Sequence, residues 1–441
     1  MKILFVYSKQ DRAGITIRDQ VLKLVPGLGE DPVPFASHLL ALTGFDERLI
    51  YAESFGAGID ADLILFFSRH SSVNPVPVLT VHVTGNYRDA ELGGTPRTLP
   101  PAAPVVMQAI LRALKRNAPE GYRASYEVTH HGPTGLAIPS CFVEIGSTLT
   151  EWEDQVAGAA VAKSVVEALR DLPENSIPLI GFGGTHYAVR ETEIALASRG
   201  AFGHIAHSRE IPSLDRDMIR QMAERTGAVA AYIDKKSVPA PEVSRLTGIL
   251  AELDFPVLSE GEIHDLGEIP WPAYREICRI AEEIDPKARP RLNRAVCTGK
   301  PVSFEFNQDL LDETLKADPE TFFAELGKVP VVSLSTPARR ILPVFISCGA
   351  PTEEFINALI TLCVKLIRAK KTTAVERDHL IIREVRFDPE KARNLGLSQG
   401  PLFSRLAGGQ AVEHDGREIT PEMVQICRER QVHIPGLERY Q

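Results

Sequence analysis

Cysteine is scarce: six residues in 441, at Cys141, Cys278, Cys297, Cys348, Cys363 and Cys427, with no CxxC pair. That scatter suggests neither a disulfide framework nor a zinc ribbon, and a reducing compartment is the simple expectation. No apolar run approaches the ~20 residues that span a membrane. The amino-terminal apolar stretch stops at Tyr7, too short for the core of a secretion signal. A cytoplasmic protein without membrane contact is therefore expected. Aromatic residues make up 7% of the chain, against 44% hydrophobic and 24% charged, the balance of a soluble globular protein. The formal net charge of −9 excludes a chain basic all over, yet leaves room for local basic patches. P-loop, HExxH, HxHxDH-like and GxSxG patterns are all missing, so a phosphate loop, the familiar zinc-hydrolase helix and a serine-nucleophile elbow have no support.

A chain of 441 residues is long for one core, and two or three domains are the prior. Short apolar runs at 2–7, 62–67, 77–82, 125–129, 141–145, 177–181 and 228–233 read as strands, several covered on both faces. Helical patterns lie between them. Val106, Ile110 and Leu114 recur every fourth residue, and a further helix is predicted from Thr150, with Glu153 three residues on as in a capping box. That helix would bury Trp152, Val156, Val161, Val165 and Leu169. Strands alternating with helices predict an α/β fold, a mixed and mostly parallel sheet flanked by helices.

Twelve histidines are present, and their distribution is uneven. "SRHSS" (68–72), "HVTGN" (82–86), "HHGPT" (130–134) and "FGGTHY" (182–187) each follow a predicted strand. Ligands of open α/β sheets bind beyond the carboxyl ends of strands, so these turns imply one convergent pocket. Neighbours in an extended segment point to opposite sides. One of His130 and His131 is thus expected in the pocket, and the other as a structural hydrogen-bonding partner. Two polar turn residues are the plainer alternative. Gly183 and Gly184 can bring backbone amides close to an oxyanion or phosphate, or else serve a tight turn beside His186. His204 and His207, three apart, share a face if helical, as a metal pair or as surface residues. His70 and His82 end strands and are candidate pocket residues, although His82 taken alone would more often be a satisfied core histidine. Ser68, Ser71 and Ser72 can cap a helix or meet phosphate.

After residue 283 the character changes. Residues 284–300 are rich in proline and basic residues without apolar periodicity and read as a linker. Residues 301–441 form a smaller α/β or α+β region, with strands near 302–306, 329–333 and 341–346 and a helix near 352–369. Its run Lys365, Arg368, Lys370 and Lys371 can meet phosphates or simply face solvent.

Taken in order, "YSKQDRAGITIRDQV", "SRHSS", "HVTGNYRDAELGG", "EVTHHGPTG", "FVEIGST" followed by "EW", and "GFGGTHYA" resemble the archaeal and plant type of D-aminoacyl-tRNA deacylase over residues 1–270. The resemblance implies an enzyme that hydrolyses the ester joining a D-amino acid to tRNA. It also implies a fold similar to phosphorylases and peptidyl-tRNA hydrolases, and zinc as cofactor. Carried over by motif, His130, His131, Thr134 and His186 would be catalytic, and Ser68, Ser71, Asn86, Gly183 and Gly184 substrate-binding. Metal ligands would be His82, Glu144, His204 and His207. The Gly183-Gly184 amides would hold the oxyanion, and Pro133 would help exclude the wrong enantiomer. Residues 1–283 would be the catalytic domain, 301–441 an accessory region, and the protein a monomer whose partner is tRNA carrying a D-amino acid. The segment 387–424 resembles the closing segment of ribonuclease Z, whose metal motif this chain lacks. Competing readings are another tRNA-acting hydrolase of this fold, such as peptidyl-tRNA hydrolase, and a non-catalytic tRNA-binding protein.

Overall fold

The computed structural model describes residues 1–56, 58–293, 299–338, 340–349 and 352–440. They form two compact units, Met1–Gly267 and Glu268–Gln441.

The first unit is α/β. Its larger sheet contains β1 (Lys2–Ser8), β2 (Val33–Phe35), β3 (His38–Phe45), β4 (Leu63–Arg69), β5 (Val78–His82), β6 (Arg123–Tyr126) and β7 (Ser140–Gly146), in the order β2-β3-β1-β4-β7-β5-β6. β3, β1, β4 and β7 pair in parallel, as do β5 and β6. β2 against β3 and β5 against β7 are antiparallel. β7 is buried along its whole length and β4 along all but its last residue. Strands covered on both faces read as unbroken apolar runs, which is why both were visible in the sequence. A second sheet, parallel throughout, contains β8 (Ile177–Phe182), β9 (Gly200–Ala206), β10 (Ala230–Ile233) and β11 (Val257–Leu258) in the order β11-β10-β8-β9.

Helix α1 (Arg12–Leu24) begins at Asp11, whose carboxylate accepts from the amides of Ala13 and Gly14 at 2.9 and 3.2 Å. This satisfies donors that a helix start leaves open. α2 (Pro104–Asn117) buries Val106, Ile110 and Leu114, as their spacing predicts. The helix expected from Thr150 is in fact two. α3 (Leu149–Trp152) is capped by Thr148 and Glu151 in a capping box, and α4 (Gln155–Arg170) by Asp154. Val161, Val165 and Leu169 are buried as expected, but Val156 is exposed. Trp152 instead lies beneath the Arg69 guanidinium.

The second unit starts earlier than expected, at Glu268 rather than near 284. Helix α5 (Trp271–Ile284) belongs to it, and part of the expected linker is a strand, β12 (Arg289–Arg291). β12, β13 (Pro301–Glu305), β14 (Val332–Ser335) and β15 (Ile341–Cys348) form an antiparallel sheet. Leu310, Phe322, Phe345, Leu359 and Ile367 contribute to its core. A second antiparallel sheet joins β16 (Thr372–Glu376), β17 (His379–Phe387) and, from the end of the chain, Gln425–His433. Between those last two strands, most of the segment likened to ribonuclease Z folds on a small core of its own, made by Ala392, Leu397, Leu406, Val412, Ile419 and Val424. Cys141, Cys278, Cys363 and Cys427 are free thiols. Cys348 is disulfide-bonded, so the expectation of uncrosslinked cysteines fails there. Among the described residues no helix is long and apolar enough to cross a membrane.

Candidate active site

The site forms where strand direction reverses. Across the β4-β7-β5 boundary Ser68, Glu144 and Thr80 stand in register, and His82 faces Phe142 two residues along. It therefore straddles an antiparallel junction, and does not lie beyond the carboxyl ends of one parallel sheet. Leaving β6, the Glu127 amide donates to the Val81 carbonyl at 3.2 Å, which sets the Glu127 carboxylate beside His82. Three residues later the chain pairs once more, His130 with Thr84, and then turns sharply. His131 has φ +45°, a left-handed conformation that non-glycine residues adopt at a cost of order 1–3 kcal/mol. That turn undoes the alternation of an extended segment. Both adjacent imidazoles enter one cluster, their ring centroids 4.4 Å apart.

Five imidazoles, His70, His82, His130, His131 and His186, gather about the buried Glu127, and all of them except His82 line a cavity of about 640 Å³. His70 Nδ1 and His186 Nε2 approach its carboxylate at 3.0 and 2.9 Å, His130 Nε2 at 3.6 Å and His82 Nδ1 at 4.0 Å. His82 Nε2 faces His131 Nε2 at 3.3 Å. Tautomers follow from the other ring atoms. His130 Nδ1 donates to the Val128 carbonyl at 2.7 Å and His131 Nδ1 to the Gly132 carbonyl at 2.6 Å. In each neutral ring the lone pair is then on Nε2.

Electrostatics sort the groups. Burial pushes the His82, His130 and His131 imidazoles below the usual histidine range, with neighbouring imidazoles adding to it for His82 and His130. His130 falls to about 3 and His131 to about 4, so both rings are neutral at neutral pH. Burial alone would raise Glu127, but His186, His70 and His82 outweigh it and hold the carboxyl well below its ordinary value. Glu144 goes the other way, raised by burial and by repulsion from Glu127 and Asp11. The two neighbouring carboxyls are driven in opposite directions, the separation of pKa values that acid–base sites exploit.

Several buried atoms here lack a hydrogen-bond partner: both Glu127 oxygens, His82 Nδ1 and His186 Nε2. The 2.9 and 3.0 Å contacts are close without being aligned as hydrogen bonds. Unsatisfied buried polar atoms are costly, and these converge. Three sets bring their ligand atoms within 4.8 Å of one another: His82, His130 and His131; His70, Glu127 and His186; His82, Glu127 and Glu144. Imidazole and carboxylate donors of this kind suit a zinc-like cation, and the Nδ1-to-carbonyl bonds of His130 and His131 are the outer support such ligands ordinarily have.

The D-aminoacyl-tRNA deacylase family profile matches residues 57–258. The D-aminoacyl-tRNA deacylase of Methanoregula boonei is 51% identical over 441 residues, covering 100% of both chains. That of Methanoculleus marisnigri is 48% identical over 440 residues, again covering 100% of both. The chain belongs to the D-aminoacyl-tRNA deacylase family. A crystal structure of a conserved protein of unknown function is similar as well, at 32% identity and a TM-score of 0.55, over 60% of this chain and 96% of that one.

Against what family motifs implied for this deacylase-family chain, the structure brings together His82, His130, His131, His186 and Glu144, with Ser68, Ser71 and Asn86 on the cavity wall. Other residues fall elsewhere. His204 is in β9, not a helix, so residues three apart point to opposite faces. Both its ring nitrogens are occupied, Nδ1 with Thr129 Oγ1 at 3.1 Å and Nε2 with the Pro100 carbonyl at 2.9 Å. It is a satisfied core histidine. His207 reaches the cavity wall, but its Nδ1 accepts from the Arg209 amide at 3.0 Å and it joins none of the three ligand sets. Thr134 is buried and accepts from the Thr95 amide at 2.8 Å, away from the cavity. The Gly183 amide donates to the Ala206 carbonyl at 2.9 Å and the Gly184 amide to Ser237 Oγ at 2.7 Å, so neither is free to hold an oxyanion. Pro133 is buried and absent from the cavity wall, so it touches no substituent there.

Sequence reasoning missed Glu127, the hub. The signal was an acidic residue directly after a strand and three positions before paired histidines. His70 was expected as a pocket residue at a strand end, but its place beside Glu127 was not foreseen. It packs between Glu127 and the Tyr187 hydroxyl, 3.2 Å from its Nε2. The turn that aims His131 depends on Gly132, where a Cβ would come within 2.5 Å of the Gly94 nitrogen and 2.6 Å of the Ile50 carbonyl oxygen. Gly132→Ala must push the His130–His131 turn away from this backbone. Displacements of about 1 Å cost on the order of 10²-fold in rate, and that drop in kcat, measured on protein that is still folded, is the expected result.

Proposed function

We propose that the cluster around Glu127 hydrolyses the ester of D-aminoacyl-tRNA, releasing the free D-amino acid and the tRNA 3′-terminal hydroxyl. The observation that carries this is the convergence of five imidazoles on the buried Glu127 carboxyl, beside Glu144 and at the wall of the cavity. His186 is more exposed than His70, His82 or His130, its side chain 38% accessible. With Nε2 turned to Glu127, Nδ1 is the atom left to accept a proton from the attacking water. Glu127 orients that ring and stabilises it once protonated, as a carboxylate does for a catalytic histidine. Glu144, whose carboxyl burial raises, is 3.9 Å from His70 Nδ1 and within 4.8 Å of a Glu127 oxygen, and would supply the proton.

His82, His130 and His131 would hold zinc, with Glu127 as the neighbouring anion. When bound there, zinc supplies a Lewis acid for the ester carbonyl and the attacking water. His204 and His207 have no part in that set. We further infer that catalysis is confined to Met1–Gly267, with Glu268–Gln441 as an accessory module for tRNA in a monomeric, cytoplasmic protein. Kinship of the fold with phosphorylases and peptidyl-tRNA hydrolases is part of the same proposal.

The test uses tRNA charged with one D-amino acid, free or N-acetylated. Hydrolysis of the free aminoacyl ester with the N-acetyl ester spared is expected; the reverse preference would make the protein a peptidyl-tRNA hydrolase. A strong chelator should abolish turnover, and zinc should restore it without refolding. Full activity of protein shown metal-free by elemental analysis would leave the histidines a purely acid–base role.

A further inference from the structure

Four arginines line the cavity, Arg48, Arg69, Arg88 and Arg209, and they are not equivalent. Arg88 and Arg209 both pair with Glu210, at 2.8 and 3.2 Å. Arg48 and Arg69 have no carboxylate partner among the described residues. Each is instead placed against an aromatic face. The Arg69 guanidinium carbon is 5.1 Å from the Trp152 ring centroid and that of Arg48 is 5.9 Å from the Tyr51 centroid.

Both positions are built rather than incidental. Trp152 is fixed by its indole N–H, which donates to the His70 carbonyl at 2.9 Å. The Arg69 amide donates to Asp11 Oδ2 at 3.0 Å. The segment carrying Arg48 is tied to the end of β1 by the Lys9 amide on the Phe45 carbonyl at 2.8 Å, and by Ser8 Oγ on the Glu47 carbonyl at 2.6 Å. The charge of Arg48 is felt at His131, and that of Arg69 at Asp11 and Glu144, so both cations stand close to the cluster. Guanidinium groups with free donor edges, stacked on rings and close to a reaction centre, match phosphate diesters.

We propose that Arg48 and Arg69 bind the backbone phosphates of the last nucleotides of the acceptor strand and so set how deeply the ester enters the histidine cluster. This rests on the deacylase reading above, which puts a charged tRNA end in the cavity. The phosphodiesters next to the terminal ribose are the anions that must pass its rim.

The experiment uses the full chain, with Arg48→Gln and Arg69→Gln each compared with the wild type. Substrates are D-aminoacyl-tRNA and the same D-amino acid esterified to adenosine, which carries no phosphate. With tRNA, each variant should raise KM by roughly 10- to 100-fold, as expected when a charge-assisted hydrogen bond is removed, with kcat little changed. The slope of log KM against log salt should become shallower by about 0.7 for each phosphate no longer neutralised. With the adenosine ester, each variant should lose far less than it does with tRNA. Arg48→Lys should keep the salt slope while losing part of the affinity. A parallel titration with the trinucleotide cytidylyl-cytidylyl-adenosine reads binding whether or not any ester is cleaved, and here too each variant should bind more weakly. Equal losses on both esters, or an unchanged KM, salt slope and trinucleotide affinity, would overturn the proposal. A wild type that binds the trinucleotide through these arginines yet cleaves no D-aminoacyl ester would instead refute the deacylase reading.

Discussion

Replacing Glu127 by glutamine is expected to leave a folded protein whose kcat is lower by ~10²–10⁴-fold. The side chain is 1% exposed, and four imidazoles approach its oxygens. The amide keeps the shape but loses the charge, and one of its two ends becomes a donor. His186 then loses the anion that stabilises its protonated form, and His70 loses the charge beside its Nδ1. Glu127→Asp keeps the charge but shortens the reach by one methylene, so it should recover only part of the rate. Thermal melting and circular dichroism establish that each variant is folded. Turnover within a few-fold of wild type in folded Glu127→Gln would remove Glu127 from the centre of the mechanism.

Truncating either ring of the pair is expected to be about as damaging. His130→Ala and His131→Ala should each lower kcat by ~10²–10⁴-fold while KM for tRNA moves little. Both rings keep Nδ1 on a backbone carbonyl and turn Nε2 inward. Neither is spare. Had the chain stayed extended through His131, only one ring would face the cavity and one variant would be silent. The φ of +45° at His131 makes the two equivalent in this respect. A folded His131→Ala protein with near wild-type turnover would contradict that geometry, and zinc content measured on the same samples separates a missing ligand from a missing base.

What the sequence made legible was local. β4 and β7 are buried on both faces, so "LILFF" and "CFVEI" announced themselves. α2 showed its stripe at 106, 110 and 114. β9, "GAFGHIA", was hidden because two glycines and a histidine dilute its apolar character, and His204 and His207 were paired on a helix that does not exist. The convergence of "HVTGN", "HHGPT" and "FGGTHY" was readable, but its geometry was not. The reversal of β5 and β6 against β7 depends on pairing between distant segments, which no local pattern encodes. Glu127 stood in plain view within "EVTHH", yet an acidic residue at a strand end ordinarily faces solvent, and only the fold shows it enclosed. Gly183 and Gly184 looked like amide donors for a ligand. Their amides are spent on Ala206 and Ser237, a fact that belongs to tertiary packing.

The central claim is that this imidazole–carboxylate cluster cleaves D-aminoacyl esters of tRNA. Its most direct test is single-turnover hydrolysis of one tRNA charged, in separate preparations, with the D- and the L-form of the same amino acid. Wild-type protein should be in excess, with Glu127→Gln alongside. The account predicts rapid release of the D-amino acid, an L-ester that decays no faster than in buffer, and loss of the D-specific phase in Glu127→Gln. Equal release of both enantiomers, or a D-specific phase that survives in the folded Glu127 variant, would contradict it.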